Sequence, residues 1–207
     1  VLEKNTFVVK EQVKLLSSKK EYDILDAESG QPLGKAASKV SGLWAVLGLV
    51  LGKDKAPMTV EVREKQDDSL VFSVRRRGFL FKKIEALDAH GQVIGSYKAK
   101  LFSIKGGFNV SDKDGKPFCE IKGKLFKADY TFWTPDGKAE MGKVSKKWDG
   151  LAKALFTSAD TYVVQVNPDF AEQPVIKMLV LGAAIAIDTL FVKAGKASGG
   201  GGGGDDD

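Results

Sequence analysis

The sequence predicts an all-β body with one apolar α-helix near its C-terminal end. Three observations predict this. Short runs alternate apolar and polar residues, as strands with one dry and one wet face do. Turn signals built on Asp and Gly separate those runs at short, fairly regular intervals. The stretch 174–192 breaks the alternation, because it is apolar on every side. Many even hairpins suit a closed barrel or a sandwich.

Taken in order, the first strong departure from alternation is Leu43-Trp-Ala-Val-Leu-Gly-Leu-Val-Leu51. It is too short to cross a bilayer as a helix. It reads as a buried strand or short helix, or else as an interfacial element with Trp44 at headgroup depth. Met58-Thr-Val-Glu-Val-Arg63 then puts Met58, Val60 and Val62 on one face of a strand. Tyr97-Lys-Ala-Lys-Leu101 repeats the design, as does Cys119-Glu-Ile-Lys-Gly-Lys-Leu125. Thr161-Tyr-Val-Val-Gln-Val166 is a β-branched run. The turn signals are Glu28-Ser-Gly30, Asp88-Ala-His-Gly91, Asp112-Lys-Asp-Gly115 and Pro135-Asp-Gly137. Three of them share a downstream pattern, which reads as a weak internal repeat of one hairpin per unit.

The closing helix is expected over about 173–193. Pro174 suits its first turn and Gly195 its stop. A helix apolar all round must be surrounded by something. Its length, about 30 Å for about 20 residues, matches either a bilayer core or the axis of a domain. From the residues both readings stand. Asp188 weighs against lipid, because a carboxylate near mid-bilayer costs about 2.5–3.5 kcal/mol on insertion scales.

Composition narrows the function classes. The chain has 207 residues with 32 Lys and Arg against 27 Asp and Glu, so its net charge is +5. A hydrophobic content of 43% is enough for a core. The single cysteine, Cys119, excludes an intramolecular disulfide and multi-Cys zinc. The single histidine, His90, excludes two-His metal motifs within the chain. No catalytic set is identifiable, and no cofactor is expected. The basic balance suits a phosphate-rich partner. No charged-then-apolar leader pattern is visible, so the expected location is intracellular, cytoplasmic or peripheral to a membrane.

In order and spacing, several pieces together resemble the phospholipid scramblase and LURP-one-related group, which shares the tubby-like fold. They begin with Phe7-Val-Val-Lys-Glu-Gln-Val-Lys-Leu-Leu16, Tyr22-Asp-Ile-Leu-Asp26 and Gly30. They continue through Lys83-Ile-Glu-Ala-Leu-Asp88 and Gly91-Gln-Val-Ile-Gly95. The strongest is Met141-Gly-Lys-Val-Ser-Lys-Lys-Trp-Asp-Gly150, followed by Phe156-Thr-Ser-Ala-Asp-Thr-Tyr162. The last runs from Ile176 through Gly182 to Phe191. The resemblance implies a closed antiparallel barrel of roughly twelve strands over 1–196, threaded by the C-terminal helix. Residues 197–207 would form a flexible, Gly-rich acidic tail. Asp188 would then be a buried structural polar group with a partner inside the barrel, as buried carboxylates require.

Candidate sites follow from the same reading. Animal scramblases carry an acidic calcium segment before the helix. Asp160 and Asp169 are what remains of it here, and with Glu172 they are too few for an ion that takes 6–8 oxygens. No metal site is expected. Lipid headgroup candidates are the basic residues Arg75, Arg76, Arg77, Lys82 and Lys83, with Lys143, Lys146 and Lys147. Outward lysines of neighbouring strands can merge into one anion-attracting patch, although such lysines also protect edges and solubility. Lys143, Lys146 and Lys147 near Trp148 would suit nucleic acid, but a core role for Trp148 is the stronger reading. The function expected is a non-enzymatic module that binds anionic phospholipid at a membrane surface. Two alternatives are a membrane-anchored scramblase using 174–192 as a span, and a structural or regulatory protein with no lipid ligand.

Overall fold

The computed structural model describes residues 1–12, 20–39, 57–77, 83–99, 108–124, 129–146 and 161–187. Twelve strands form one closed barrel: β1 (Thr6–Glu11), β2 (Glu21–Asp26), β3 (Pro32–Lys39), β4 (Met58–Glu64), β5 (Leu70–Arg76), β6 (Lys83–Asp88), β7 (Val93–Ala99), β8 (Phe108–Asp112), β9 (Pro117–Lys124), β10 (Asp129–Trp133), β11 (Glu140–Ser145) and β12 (Thr161–Val166). Each pairs antiparallel with its neighbour in sequence, and β1 closes the ring on β12 through Thr6 opposite Gln165 and Lys10 opposite Thr161. Closure leaves no sheet edge.

The hairpin connections at one end, between β2–β3, β4–β5, β6–β7, β8–β9 and β10–β11, are tight turns. We call this the turn end. Asp88 Oδ1 accepts from the backbone N–H of His90 at 2.9 Å and of Gln92 at 2.8 Å. Asp112 Oδ1 does the same for Asp114 and Lys116, each at 2.9 Å. Gly91 and Gly115 complete these turns at φ +77° and +81°, where a side chain is disfavoured. The repeat in the sequence is therefore one turn device used again at the same end of the barrel. The segments joining strands at the far end lie outside the described residues, and the apolar run 43–51 is among them.

Period-2 patterning produces the barrel interior. β2 and β10 alternate buried and partly exposed positions along their whole length. The inward positions include four fully buried tyrosines, Tyr22, Tyr97, Tyr130 and Tyr162. β1 and β12 depart from alternation. Val8 and Val163 are buried on the opposite face from Phe7, Val9, Tyr162 and Val164, in a second cluster with Ala27. A continuous Val-rich run is what a strand covered on both faces requires.

Helix α1 (Pro174–Ala186) enters at the turn end and runs through the barrel toward the far end, against β5, β6, β7, β11 and β12. Ile176 through Ala186, and Ile187 after them, are all buried. Each fully buried Leu or Ile among them contributes about 1.5–3 kcal/mol. Small residues on both the helix and the wall let the two approach, Gly182 in α1 and Gly95 in β7. A Cβ on Gly182 would lie 2.7 Å from Tyr97 Oη, and one on Gly95 would lie 2.9 Å from Leu179 Cδ2. Tyr97 Oη donates to Leu179 O at 2.8 Å, so its buried hydroxyl is satisfied. Lys177, also buried, donates to Leu2 O at 2.7 Å where the helix enters. The expected helix extended to 193. Residues 188–193, and with them Asp188, lie outside the described residues.

Candidate functional site

The register of β3, β4, β5 and β6 assembles a basic cluster at the far end. Lys39 lies opposite Thr59, Thr59 opposite Arg75, and Arg75 opposite Glu85. Arg76 falls on the other face, opposite Met58 and Ile84 and in line with the buried Val74. The run 75–77 is thus split by the pleat. Arg75 and Arg77 turn outward, while Arg76 sits on the inward side. Lys39, Arg75, Arg76 and Arg77, with Pro57, Met58 and Thr59, line a cleft of about 460 Å³.

Two carboxylates hold the cations in place. Glu85 Oε2 accepts from Arg75 Nη2 at 2.9 Å and from Arg77 Nε at 3.0 Å. Glu61 Oε2 accepts from Lys39 Nζ and Arg63 Nη2, each at 2.8 Å. Partial burial of Glu85 pushes its pKa up. The hydrogen bonds from Arg75 and Arg77 outweigh that and hold the carboxyl below its ordinary range. Glu61 is lowered in the same way, with burial opposing and Lys39 and Arg63 prevailing. Both acids are therefore charged at neutral pH, and each is shared by two cations. Positive charge remains in excess. Lys39 and Arg77 stay well exposed, at 63% and 57% of their side-chain surface.

Lys83 continues the cluster. It lies directly opposite Lys98 on the outward face, and both are exposed. Like charges directly opposite each other destabilise a sheet. Neither lysine has a carboxylate partner among the described residues. The chemistry on offer is a concave, strongly cationic surface beside apolar Pro57 and Met58, with guanidinium forks that match phosphate oxygens.

The structure places the sequence candidates in two groups. Arg75, Arg76, Arg77 and Lys83 come together on β5 and β6. Lys143 and Lys146 lie at β11, on another side of the barrel. Lys143 Nζ is 3.6 Å from Asp129 Oδ1, and Lys146 Nζ stands 4.7 Å from the centroid of the Tyr162 ring. Lys82, Lys147, Trp148 and Asp160 lie outside the described residues. Asp169 is in a short 3₁₀ turn (Pro168–Phe170) capped by Asn167, at the turn end. Among the described residues no group of three or more His, Cys, Asp or Glu could hold a metal ion. Cys119 is buried and its thiol is pushed up to about 12 by that burial, which makes it an unreactive core residue. Sequence reasoning missed Lys39, Met58 and Thr59. They reach the site only through cross-strand register, with 40–56 intervening in the chain.

The family model described as Scramblase matches residues 56–194, about two thirds of the chain. The chain belongs to the scramblase family. Within that family it is 38% identical over 63 residues to phospholipid scramblase 2 of Bos taurus. It is 33% identical over 63 residues to phospholipid scramblase 1 of Mus musculus. Each match covers 30% of this chain, but only 21% and 19% of those relatives. The chain thus spans about a fifth of the length of the curated relatives it matches. A solved structure of a protein from Arabidopsis thaliana aligns over 86% of this chain and 91% of that one, at 11% identity and a TM-score of 0.49.

Proposed function

We propose that this scramblase-family chain is a non-enzymatic module that binds anionic phospholipid at a membrane surface. The observation that carries the reading is the cleft lined by Lys39, Arg75, Arg76 and Arg77. Its volume suits a single headgroup. Its cations exceed the carboxylates that order them, and Pro57 and Met58 offer apolar contact to the adjoining chain region of a lipid. The names of the relatives support phospholipid as the class of partner.

The anchored reading has less support. Among the described residues no helix is long and apolar enough to cross a membrane. The part of 174–192 that the structure describes is enclosed by the barrel from Ile176 onward. The test is flotation of the purified chain with vesicles of phosphatidylcholine alone, and with phosphatidylserine added, at low and high salt. Binding only to the anionic vesicles, released by salt, is the expected result. Flotation with neither vesicle sinks the reading.

A further inference from the structure

Both ends of the barrel carry both signs among the described residues, but the excess has opposite sign at the two ends. The hairpin turns at the turn end carry Asp26 and Glu28, Asp67 and Asp68, Asp88, Asp112 and Asp114, and Asp136, against Lys65, Lys113, Lys116 and Lys138, so acids are in excess there. These acids have a local cause. Asp67 Oδ1, Asp88 Oδ1, Asp112 Oδ1 and Asp136 Oδ1 all accept backbone N–H groups of their own turns. Turn chemistry thus gives this end its excess of acid. The far end is the opposite. Lys39, residues 75–77, Lys83 and Lys98 outnumber Glu61 and Glu85 at the ends of β3 to β7. Lys143 and Lys146 stand beside Asp129 at the β10–β11 end on another side of the ring, and Lys10 and Lys20 are matched by Glu11 and Glu21 at the β1–β2 end.

We propose that the chain docks on anionic bilayers end-on, with the far end against the headgroups and the turn end in water. This rests on the lipid-binding reading and adds the orientation, which that reading leaves open. Helix α1, of 13 residues, separates the ends by about 20 Å. The Debye length at physiological salt is about 8 Å. Each end therefore meets its surroundings almost independently of the other. Near an anionic leaflet cations are attracted, whereas the excess acids of the turn end are repelled. The C-terminal pole of α1 also points to the far end, but its half charge is small beside several whole ones. Cations on more than one side of the ring favour standing over lying on the β3–β5 wall.

The orientation can be read with single fluorescent labels in a Cys119→Ala background. Asn109→Cys marks the far end on β8, separated from β3 by β4 to β7, so a barrel lying on its β3–β5 wall lifts it off the surface. His90→Cys marks the turn end, and Gln66→Cys is a second turn-end position should the first variant fold poorly. Ala37→Cys marks the β3 wall. All four native residues are exposed. The labelled chains are bound to phosphatidylcholine–phosphatidylserine vesicles carrying a headgroup quencher. The expected result is several-fold stronger quenching at 109 than at 90 or 66, with 37 between them. Equal quenching at 109 and 90, or stronger quenching at 37 than at 109, overturns the orientation while binding stands. Failure to float with the anionic vesicles overturns binding and orientation together.

Discussion

Glu85 sets how much of the Arg75 and Arg77 charge is available to a ligand. Its carboxylate is shared by both guanidiniums and is held below the ordinary glutamate range. A depressed carboxylate contributes stability above its unfolded pKa and loses it as pH falls through the folded value. For Glu85 that window lies below about pH 4.3, the ordinary glutamate value. Neutral-pH binding therefore meets the paired form. The substitution Glu85→Gln removes the competing charge without removing the side chain. It is expected to tighten binding to phosphatidylserine vesicles at neutral pH by about fivefold, the equivalent of about 1 kcal/mol per net charge near the leaflet. Stability should fall by less than about 1 kcal/mol, because both arginine partners reach solvent. Paired measurements of vesicle affinity and urea denaturation check this, and weaker binding by Glu85→Gln contradicts it. Little of this arrangement was legible in the sequence. Residues 75–77 announced a basic run, but not that the pleat would turn Arg76 away from its neighbours. Nor could spacing along one strand reveal Glu85, or Lys39 across Thr59.

At the scale of the element, α1 and its sleeve depend on one another. The apolar character of the whole helix foretold that something would enclose it, since no face is suited to water. What encloses it was not legible, because the contacts come from strands far away in the chain. Gly182 shows why. In the sequence it is a glycine that costs a helix about 1 kcal/mol relative to alanine. In the structure it is where the hydroxyl of Tyr97, on β7, comes against the helix, and a Cβ there would also press on Phe72 and Val74 of β5. The substitution Gly182→Leu is expected to destabilise the fold by about 1–3 kcal/mol through overpacking. Tyr97→Phe removes only the hydroxyl and its bond to Leu179 O, for an expected loss of about 0.5–1.5 kcal/mol. Chemical denaturation ranks the two. Equal stability of Gly182→Leu and the wild type would mean that the helix does not sit against Tyr97. The turns were the most legible elements. An Asp that caps its own turn and a Gly at positive φ act within a few residues, so the sequence carries their whole cause.

For the whole molecule, the sequence announced many hairpins but left barrel and sandwich open, because closure depends on β1 meeting β12 from opposite ends of the chain. Closure also gives the barrel two distinct ends. Turn acids gather at one, and the ends of β3 to β7 bring cations together at the other. Neither the net charge of +5 nor any local run of residues expresses that polarity. It arises only when the hairpins are stacked side by side. The claim at the centre is that the far-end cations bind anionic lipid. Lys39 and Arg77 are the most exposed members of the cleft that pair with carboxylates, so changing them leaves the interior untouched. The most direct measurement is flotation of Lys39→Glu/Arg77→Glu beside the wild type with phosphatidylserine vesicles, with thermal melting of both. The expected result is an intact melting transition and loss of nearly all flotation. A folded variant that floats as well as the wild type would contradict the claim.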